Sequence, residues 1–344
     1  MPFEYSYSHS HSHQHSSMHI LRSIDALRLV RRPVHLAIGV FDGLHLGHQA
    51  VIEQALASSR ETGGSAVVVT FHPHPIKILR PEKAPRLLTS TQHKIKLIES
   101  SGVDAVLILE FTKEFSKTPP RTFIELLVGA GRAVRQICVG EAFTFGVNRS
   151  GSVSLLRELS KELSFELTSV APVVVDGKVV SSTLIRSAVE AGDLESAARF
   201  LGRPFTILGT VSEGRQLGRQ LGFPTANLRA HNEQFPPNGV YAARAWFRNR
   251  EYGGVVNIGV RPTIENESGE RLLELHLFDF DEEIYGQDIE VAFLEYLRPE
   301  QKFPDLQSLQ SQIQQDAEAA RKVCQTTTPP SPTAPSSPTT EGES

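Results

Sequence analysis

From residue 34 to about residue 175, short apolar runs alternate with stretches whose apolar residues recur at helical spacing. HLAIGV leads into QAVIEQALASSR, AVVVT into a segment around HKIKLIESS, VDAVLILEF into FIELLVGA, and QICVG follows. The strand-like runs are continuously apolar, as strands covered on both faces require, so the pattern predicts a mostly parallel sheet between helical layers. In such a sheet ligands lie beyond the carboxyl ends of the strands. Three stretches fall there: residues 39–48 after the first strand, 70–75 after the second and 140–151 after QICVG. They are predicted to converge on one crevice.

The segment SSTLIRSAVEAGDLESAARFLGRP then reads as two short helices, the first opened by the N-capping residues Ser181, Ser182 and Thr183. Beyond Phe205 the texture changes to short strands punctuated by Gly, Pro and Asn: FTILGTVS, GVYAARAWF, EYGGVVNIG, RLLELHLFDF and DIEVAFLEYL. With no helices between them, they predict an antiparallel barrel. A single helix follows, with Leu306, Leu309, Ile313, Ala317 and Ala320 on the stripe expected to pack on it. The expected fold is therefore an α/β Rossmann-like domain over residues 21–202, then a mainly antiparallel β-barrel domain with a C-terminal helix over 203–324. A Ser/His-rich leader, 1–20, and a Pro/Thr/Ser-rich tail, 325–344, bury too little apolar area to fold and are expected to be disordered. The leader lacks the apolar core of a secretion signal, and Met18 is a second candidate initiator. Its alternating histidines could collect a transition metal, although such a tract also serves as a merely solvated leader.

Composition narrows the function. The 344 residues are 40% hydrophobic and 22% charged, and no apolar run approaches the roughly 18 residues that span a membrane. A net charge of −4, with both signs interspersed, offers no field for nucleic acid, so a small-molecule partner is expected. The two cysteines, Cys138 and Cys324, suit neither a disulfide framework nor a CxxC metal site, which fits a reducing cytoplasm.

In GVFDGLHLGH, residues 39–48, a tight loop joins a strand to a helix start, where unpaired N–H groups and a positive dipole end suit phosphate oxygens. His45 and His48, three apart, share one helical face, and Gly47 between them puts no side chain in the way of a nucleotide. The constellation suits ATP without a Walker lysine. SSTLIR adds hydroxyls and, at Arg186, a guanidinium able to fork onto phosphate; read alone it is an N-cap and a surface arginine. In TFHPHP the prolines stiffen a loop that presents His72 and His74, which without a third ligand make a poor metal site.

The second domain carries EGRQLGRQLGFPTANL, residues 213–228. Gly214, Gly218 and Gly222 allow close approach of backbone to phosphate, and Arg215 and Arg219 add positive charge. Thr225 and Asn227 then alternate onto one side of an extended segment, offering neutral oxygens to a hard cation such as Mg2+. In RLLELHLFDF, Leu273, Leu275 and Leu277 share one face and Glu274 and His276 the other. Glu274 either faces water or, on the inner or mouth side of the barrel, accepts the proton of an alcohol during phosphate transfer.

Together these motifs resemble the bacterial bifunctional riboflavin kinase/FMN adenylyltransferases, or FAD synthetases, over about residues 34–322. NGVYAARAWF, VVNIGVRPT, residues 283–286 and LRPEQKF extend the match. The resemblance implies ATP as co-substrate, Mg2+, and FMN and FAD as products, with riboflavin, FMN and ATP as partners. It implies that Glu274 is the kinase base, Thr225 and Asn227 the metal ligands, and His45 and His48 the catalytic pair of the adenylyl transfer. Gly39, Phe41, Asp42, Gly43, Gly47, His74, Ser181, Ser182, Thr183 and Arg186 would bind the nucleotide or substrate there. In the barrel domain Gly214, Arg215, Gly218, Arg219, Gly222 and Arg298 would do so. Two positions depart from the family: His72 where a carboxylate is frequent, and Ala142 where Asn or Asp is typical. The Ala142 departure implies a weakened adenylylation and keeps open an alternative, a riboflavin kinase whose degenerate first half serves flavin binding or regulation.

Overall fold

The computed structural model describes residues 18–129, 134–212, 223–248, 250–263 and 266–326, leaving aside the side chains of 260–263 and 266–270. Among these, chain contacts define two units. One runs to residue 202 and also takes in 231–236; the other holds 203–230 and everything from 237.

The first unit is built on a parallel sheet in the order β1 (His19–Leu21), β4 (Ala105–Glu110), β3 (Ser65–His72), β2 (Val34–Ile38), β5 (Val134–Gly140), β6 (Glu166–Val170). Alternate residues of the same apolar runs feed two cores. Leu36, Ile38, Val67, Val69, Ile137 and Val139 meet Phe123, Leu127 and Leu156 on one side. Ala37, Ala66, Val68, Val106 and Cys138 meet Val51, Ile52, Leu97 and Ile98 on the other. The covering helices are α1 (Leu46–Thr62) and α3 (Thr91–Glu99) on that second side, with α4 (Pro120–Gly129) and α5 (Val153–Leu163) on the first. Between α1 and α3 the chain also forms a short α2 (Pro75–Leu79). After β6 come a two-stranded hairpin, β7 (Val174–Val175) and β8 (Lys178–Val179), and then α6 (Ser182–Glu190) and α7 (Leu194–Leu201). The sheet grows outward from β2 in both directions, so the loop after β2 stands at the switch point where α/β sheets open a crevice. His19 and Ile20, assigned by composition to the leader, instead belong to β1, which extends the sheet edge by pairing with β4 at His19↔Ala105.

The second unit is a closed antiparallel barrel of β9 (Thr206–Ser212), β10 (Ala226–Ala230), β13 (Asn266–Leu277), β12 (Arg250–Thr263), β11 (Gly239–Phe247) and β14 (Asp288–Arg298). Closure removes every sheet edge. Its interior is filled by side chains such as Tyr241, Val256, Ile258, Leu273, Leu275 and Phe293, all buried. Helix α8 (Leu306–Thr326) lies on the outer wall, where Ala317 and Ala320 pack with Ala242 and Phe278. Of the expected stripe, Leu306 at the helix start is 58% exposed, so the packing face begins further along.

Candidate active sites

In the first unit, the loop between β2 and α1 has left-handed backbone at Phe41, Gly43 and Leu44 (φ 54°, 81° and 43°), strain of the kind found at functional loops. It delivers His45 as the N-cap of α1, where Nδ1 accepts the backbone N–H of His48 at 3.3 Å. A neutral His45 therefore carries its proton on Nε2, which is the ring's donor. The His48 ring stacks on that of His45, with centroids 3.6 Å apart, and takes the edge of Phe41 at 5.2 Å. Gly47 leaves room here: a Cβ would sit 3.2 Å from Cε1 of His45, tight enough that the ring would have to give by a few tenths of an ångström.

Helix α6 starts beside the same loop. Ser181 caps it by accepting from Leu184 N, and Ser182 Oγ donates to the carbonyl of Asp42 at 2.9 Å, so two helix N-termini flank one loop. Thr183 is exposed on the first turn. Arg186 donates through Nη2 to the Asp42 carboxylate at 2.6 Å and through Nε to the carbonyl of Arg86 at 2.8 Å. Asp42, expected to touch nucleotide, is instead committed to the protein: it also accepts from Leu88 N, Thr89 N and Thr89 Oγ1, and its side chain is 5% exposed. Its carboxylate is the hub that ties residues 86–89 and Arg186 to the loop before α1. Phe41, 1% exposed, packs its side chain against His48. Gly39 N donates to Val69 O and Gly43 N to Thr89 Oγ1.

Residues 231–236 grip the same loop from its other edge. Glu233 N and Gln234 N donate to Leu87 O, Leu87 N donates back to Glu233 Oε2, and Asn232 Nδ2 donates to Leu88 O. Glu233 also pairs with Lys77 of α2. No sequence motif marks this segment.

Two more groups lie under the loop. Lys94 Nζ donates to Val40 O at 2.9 Å and to Thr70 Oγ1 at 3.2 Å, and burial pushes its pKa down to about 8 against the pull of Asp42. A lysine on the buried stripe of α3, with Leu97 and Ile98, was a signal the sequence carried. His74 caps α2, its Nδ1 accepting Ile76 N. Burial, then the charges of Lys94, Arg186 and Lys77, lower its pKa to about 4, with Asp42 opposing. His74 is thus a neutral donor through Nε2 at any physiological pH. Below pH 6.5 the unfolded chain binds a proton at His74 that the folded chain refuses until about pH 4. Its contribution to stability should therefore be full above pH 6.5 and vanish as the pH falls to about 4. Melting curves from pH 4 to 7 should be flatter for His74→Asn, which keeps the cap; an unchanged slope would remove His74 from the acid response.

Residues 70–75 and 39–48 thus come together. His72 instead bonds Thr91 Oγ1 through Nδ1 at 2.7 Å, at the start of α3. The stretch 140–151 follows β5, next to β2; Phe143 stacks on Phe145, and Ala142 is exposed.

In the second unit, strand register brings the expected residues side by side. Asn227 of β10 is the ladder partner of Glu274 of β13, and Glu274 is in turn the partner of Asn257 of β12. Leu273 and Leu275 fill the barrel interior, so Glu274 stands exposed on the outer wall, not on the inner side. His276, on the same face, bonds the carbonyl of Pro224 through Nδ1 at 2.9 Å and so holds the strand entry that presents Thr225. Thr225 is exposed and Asn227 half-buried. Arg298 ends β14, the same row continuing through Val240. Its Nε and Nη2 grip Asp316 of α8, with Nη2 at 2.7 Å, and Nη1 bonds Pro299 O. It is a clasp for the helix more than an open phosphate ligand. Gly214, Arg215, Gly218, Arg219 and Gly222 lie outside the described residues.

Known proteins match both halves. The FAD synthetase family model covers residues 28–184 and the riboflavin kinase model covers 201–324. The bifunctional riboflavin kinase/FMN adenylyltransferase of Haemophilus influenzae is 37% identical over 305 residues, 88% of this chain and 98% of that protein. Its namesake from Bacillus subtilis is 37% identical over 288 residues, 83% and 90% of the two chains. A crystal structure from Streptococcus pneumoniae, described as a macrolide-efflux protein, superposes with a TM-score of 0.73 at 26% identity, covering 89% of this chain and 99% of its own. No helix among the described residues is long and apolar enough to cross a membrane. With two family models in tandem and relatives matched nearly end to end, the chain belongs to the bifunctional riboflavin kinase/FMN adenylyltransferases.

Proposed function

We propose that the two units perform consecutive steps, riboflavin to FMN in the barrel and FMN to FAD in the α/β unit, with the residues above in specific roles. The observation that carries the reading is the pairing of the stacked His45–His48 and Asp42–Arg186 groups in one unit with the Asn227–Glu274 row in the other.

In the barrel, Glu274 takes the proton of the ribityl 5′-hydroxyl as its oxygen attacks the γ-phosphorus of ATP, and ADP leaves. Thr225 and Asn227 fit Mg2+: both are oxygen donors on one side of the strand entry, and Mg2+ prefers a few such ligands with waters and substrate phosphates completing its shell. When bound there, it would neutralise phosphate charge. In the α/β unit, a phosphate oxygen of FMN attacks the α-phosphorus of a second ATP and pyrophosphate leaves. The attacking oxygen is already ionised, so this step needs positioning and charge stabilisation and no base. The donors are His45 Nε2, His48, the N-termini of α1 and α6 with Ser181 and Thr183, His74, and Arg186 as oriented by Asp42, while Ser182, whose hydroxyl is given to the Asp42 carbonyl, ties the start of α6 to the loop. Small-molecule partners alone, and a cytoplasmic location, complete the proposal.

Incubating the protein with riboflavin, ATP and Mg2+ and separating the flavins tests it. FMN followed by FAD is expected; FMN alone would favour the kinase with a degenerate partner, and neither product a binding role. Ala142 is the observation behind that second reading, an exposed methyl beyond β5 where the family has a polar side chain. A lost hydrogen bond to a charged group costs about 1.5–3 kcal/mol, or roughly a tenfold to hundredfold effect in the transition state. FMN should therefore form faster than FAD, and Ala142→Asn should raise FAD synthesis with kinase activity unchanged. A flat or lower adenylylation rate in that variant would show that Ala142 is no defect.

A further inference from the structure

Asn257 has no part in the roles assigned so far, yet it occupies the place next to Glu274 on the outer wall of the barrel. Asn227, Glu274 and Asn257 are successive ladder partners on three adjacent strands, which lie about 5 Å apart. Asn257 Nδ2 donates to Glu300 Oε1 at 3.3 Å. An ionised carboxylate can only accept, so this bond decides which end of the amide is nitrogen and turns Oδ1 away from Glu300. That Oδ1 is buried and has no hydrogen-bond partner among the described residues. Gly259, two residues on and on the same face, makes the arrangement possible: a Cβ there would come within 2.6 Å of Glu300 Oε1. Asn238, immediately before β11 and two residues from Asn257's partner Val240, has its Oδ1 in the same condition. Buried acceptors without donors are rare in folded proteins, and each calls for a donor from a water, an ion or a ligand.

We infer that Asn257 Oδ1 is a specificity-determining contact for the hydroxyl-bearing chain of the alcohol substrate. The inference rests on the kinase reading of this row. Asn227 lies on one side of Glu274, toward the metal and phosphates, and Asn257 lies on the other. An alcohol that gives its proton to Glu274 while facing the phosphates sends the rest of its chain toward Asn257. The ribityl chain of riboflavin carries secondary hydroxyls along that path, each a donor, and the unmet groups of the patch are acceptors.

The test compares wild type and Asn257→Ala on riboflavin and on a flavin whose N10 chain is 5-hydroxypentyl, which keeps only the terminal hydroxyl. Wild type should prefer riboflavin by about tenfold or more in kcat/KM, as expected of a site built to bond a hydroxyl, and Asn257→Ala should lose most of that preference. KM for ATP and the Mg2+ requirement should stay unchanged, and intact adenylylation of supplied FMN together with an unchanged melting temperature confirms a folded chain. Equal loss on both flavins, a raised Mg2+ requirement, or kcat/KM for riboflavin within twofold of wild type would each overturn the inference. Glu274→Gln run in parallel separates the two failures. If it still forms FMN at the wild-type rate, the proposed base falls; if it stops FMN formation while Asn257→Ala treats the flavins as wild type does, only the Asn257 contact falls.

Discussion

Glu274→Gln is expected to stop FMN formation while supplied FMN is still converted to FAD, and His48→Ala is expected to do the reverse. Glutamine keeps the shape of Glu274 on the outer wall, next to Asn227, but cannot accept the alcohol proton. Loss of a general base costs about 10²–10⁴-fold in rate. His48 acts by a different route. Its ring lies against His45 and over the edge of Phe41, and removing it withdraws one donor from the phosphate site while the backbone N–H that fixes the His45 ring remains. Removing a donor aimed at developing charge costs about 10²–10³-fold. Separating flavins by chromatography after incubation with riboflavin, and separately with FMN, reads both steps. Either variant losing both activities in a folded chain would refute two independent sites.

How far the sequence disclosed this arrangement depended on whether the deciding contacts were local. Strands β2 to β5 were legible because burial on both faces leaves unbroken apolar runs, and the barrel strands because short alternating runs were bounded by Gly and Pro. The HxGH pair and the capped start of α6 were legible for the same reason: a loop and the first turn of a helix are written in consecutive residues. Strand β1 was missed because three residues beside a polar leader carry no periodicity, and its pairing with β4 is fixed some eighty residues away. The hub at Asp42 was misread, because nothing near it reveals that Leu88, Thr89 and Arg186 converge on its carboxylate. Residues 231–236 follow a barrel strand in the chain yet belong to the other unit, which only long-range contacts decide. In β13 alternation separated two faces, and the three leucines identify the inner one, which places Glu274 outside. Asn257 sat in plain view within VVNIG. Its meaning depends on register with Glu274 and on a carboxylate 43 residues away.

Asp42→Asn should abolish most FAD synthesis and weaken the first unit, and the reason lies in counting donors. Four donors converge on the Asp42 carboxylate: Leu88 N, Thr89 N, Thr89 Oγ1 and Arg186 Nη2. Asparagine offers one oxygen where the carboxylate offers two, and its amide hydrogens oppose those donors. It also leaves the guanidinium of Arg186, whose side chain is 14% exposed, without its counter-charge. Breaking such a buried pair from one side costs about 3–5 kcal/mol. With Arg186 and loop 86–89 released, adenylylation should fall about 10²–10³-fold, the scale of one lost preorganised donor. FMN formation should be unaffected, because the Asn227–Glu274 row uses none of these groups. Pairing the change with Arg186→Met separates structure from chemistry. The double variant no longer leaves the Arg186 guanidinium without its partner, so it should regain part of the melting temperature lost in Asp42→Asn, yet it should make no more FAD, because the guanidinium itself is gone. If Asp42→Asn kept FAD synthesis near the wild-type rate, Arg186 would not need its partner, and the hub assigned to Asp42 would be wrong.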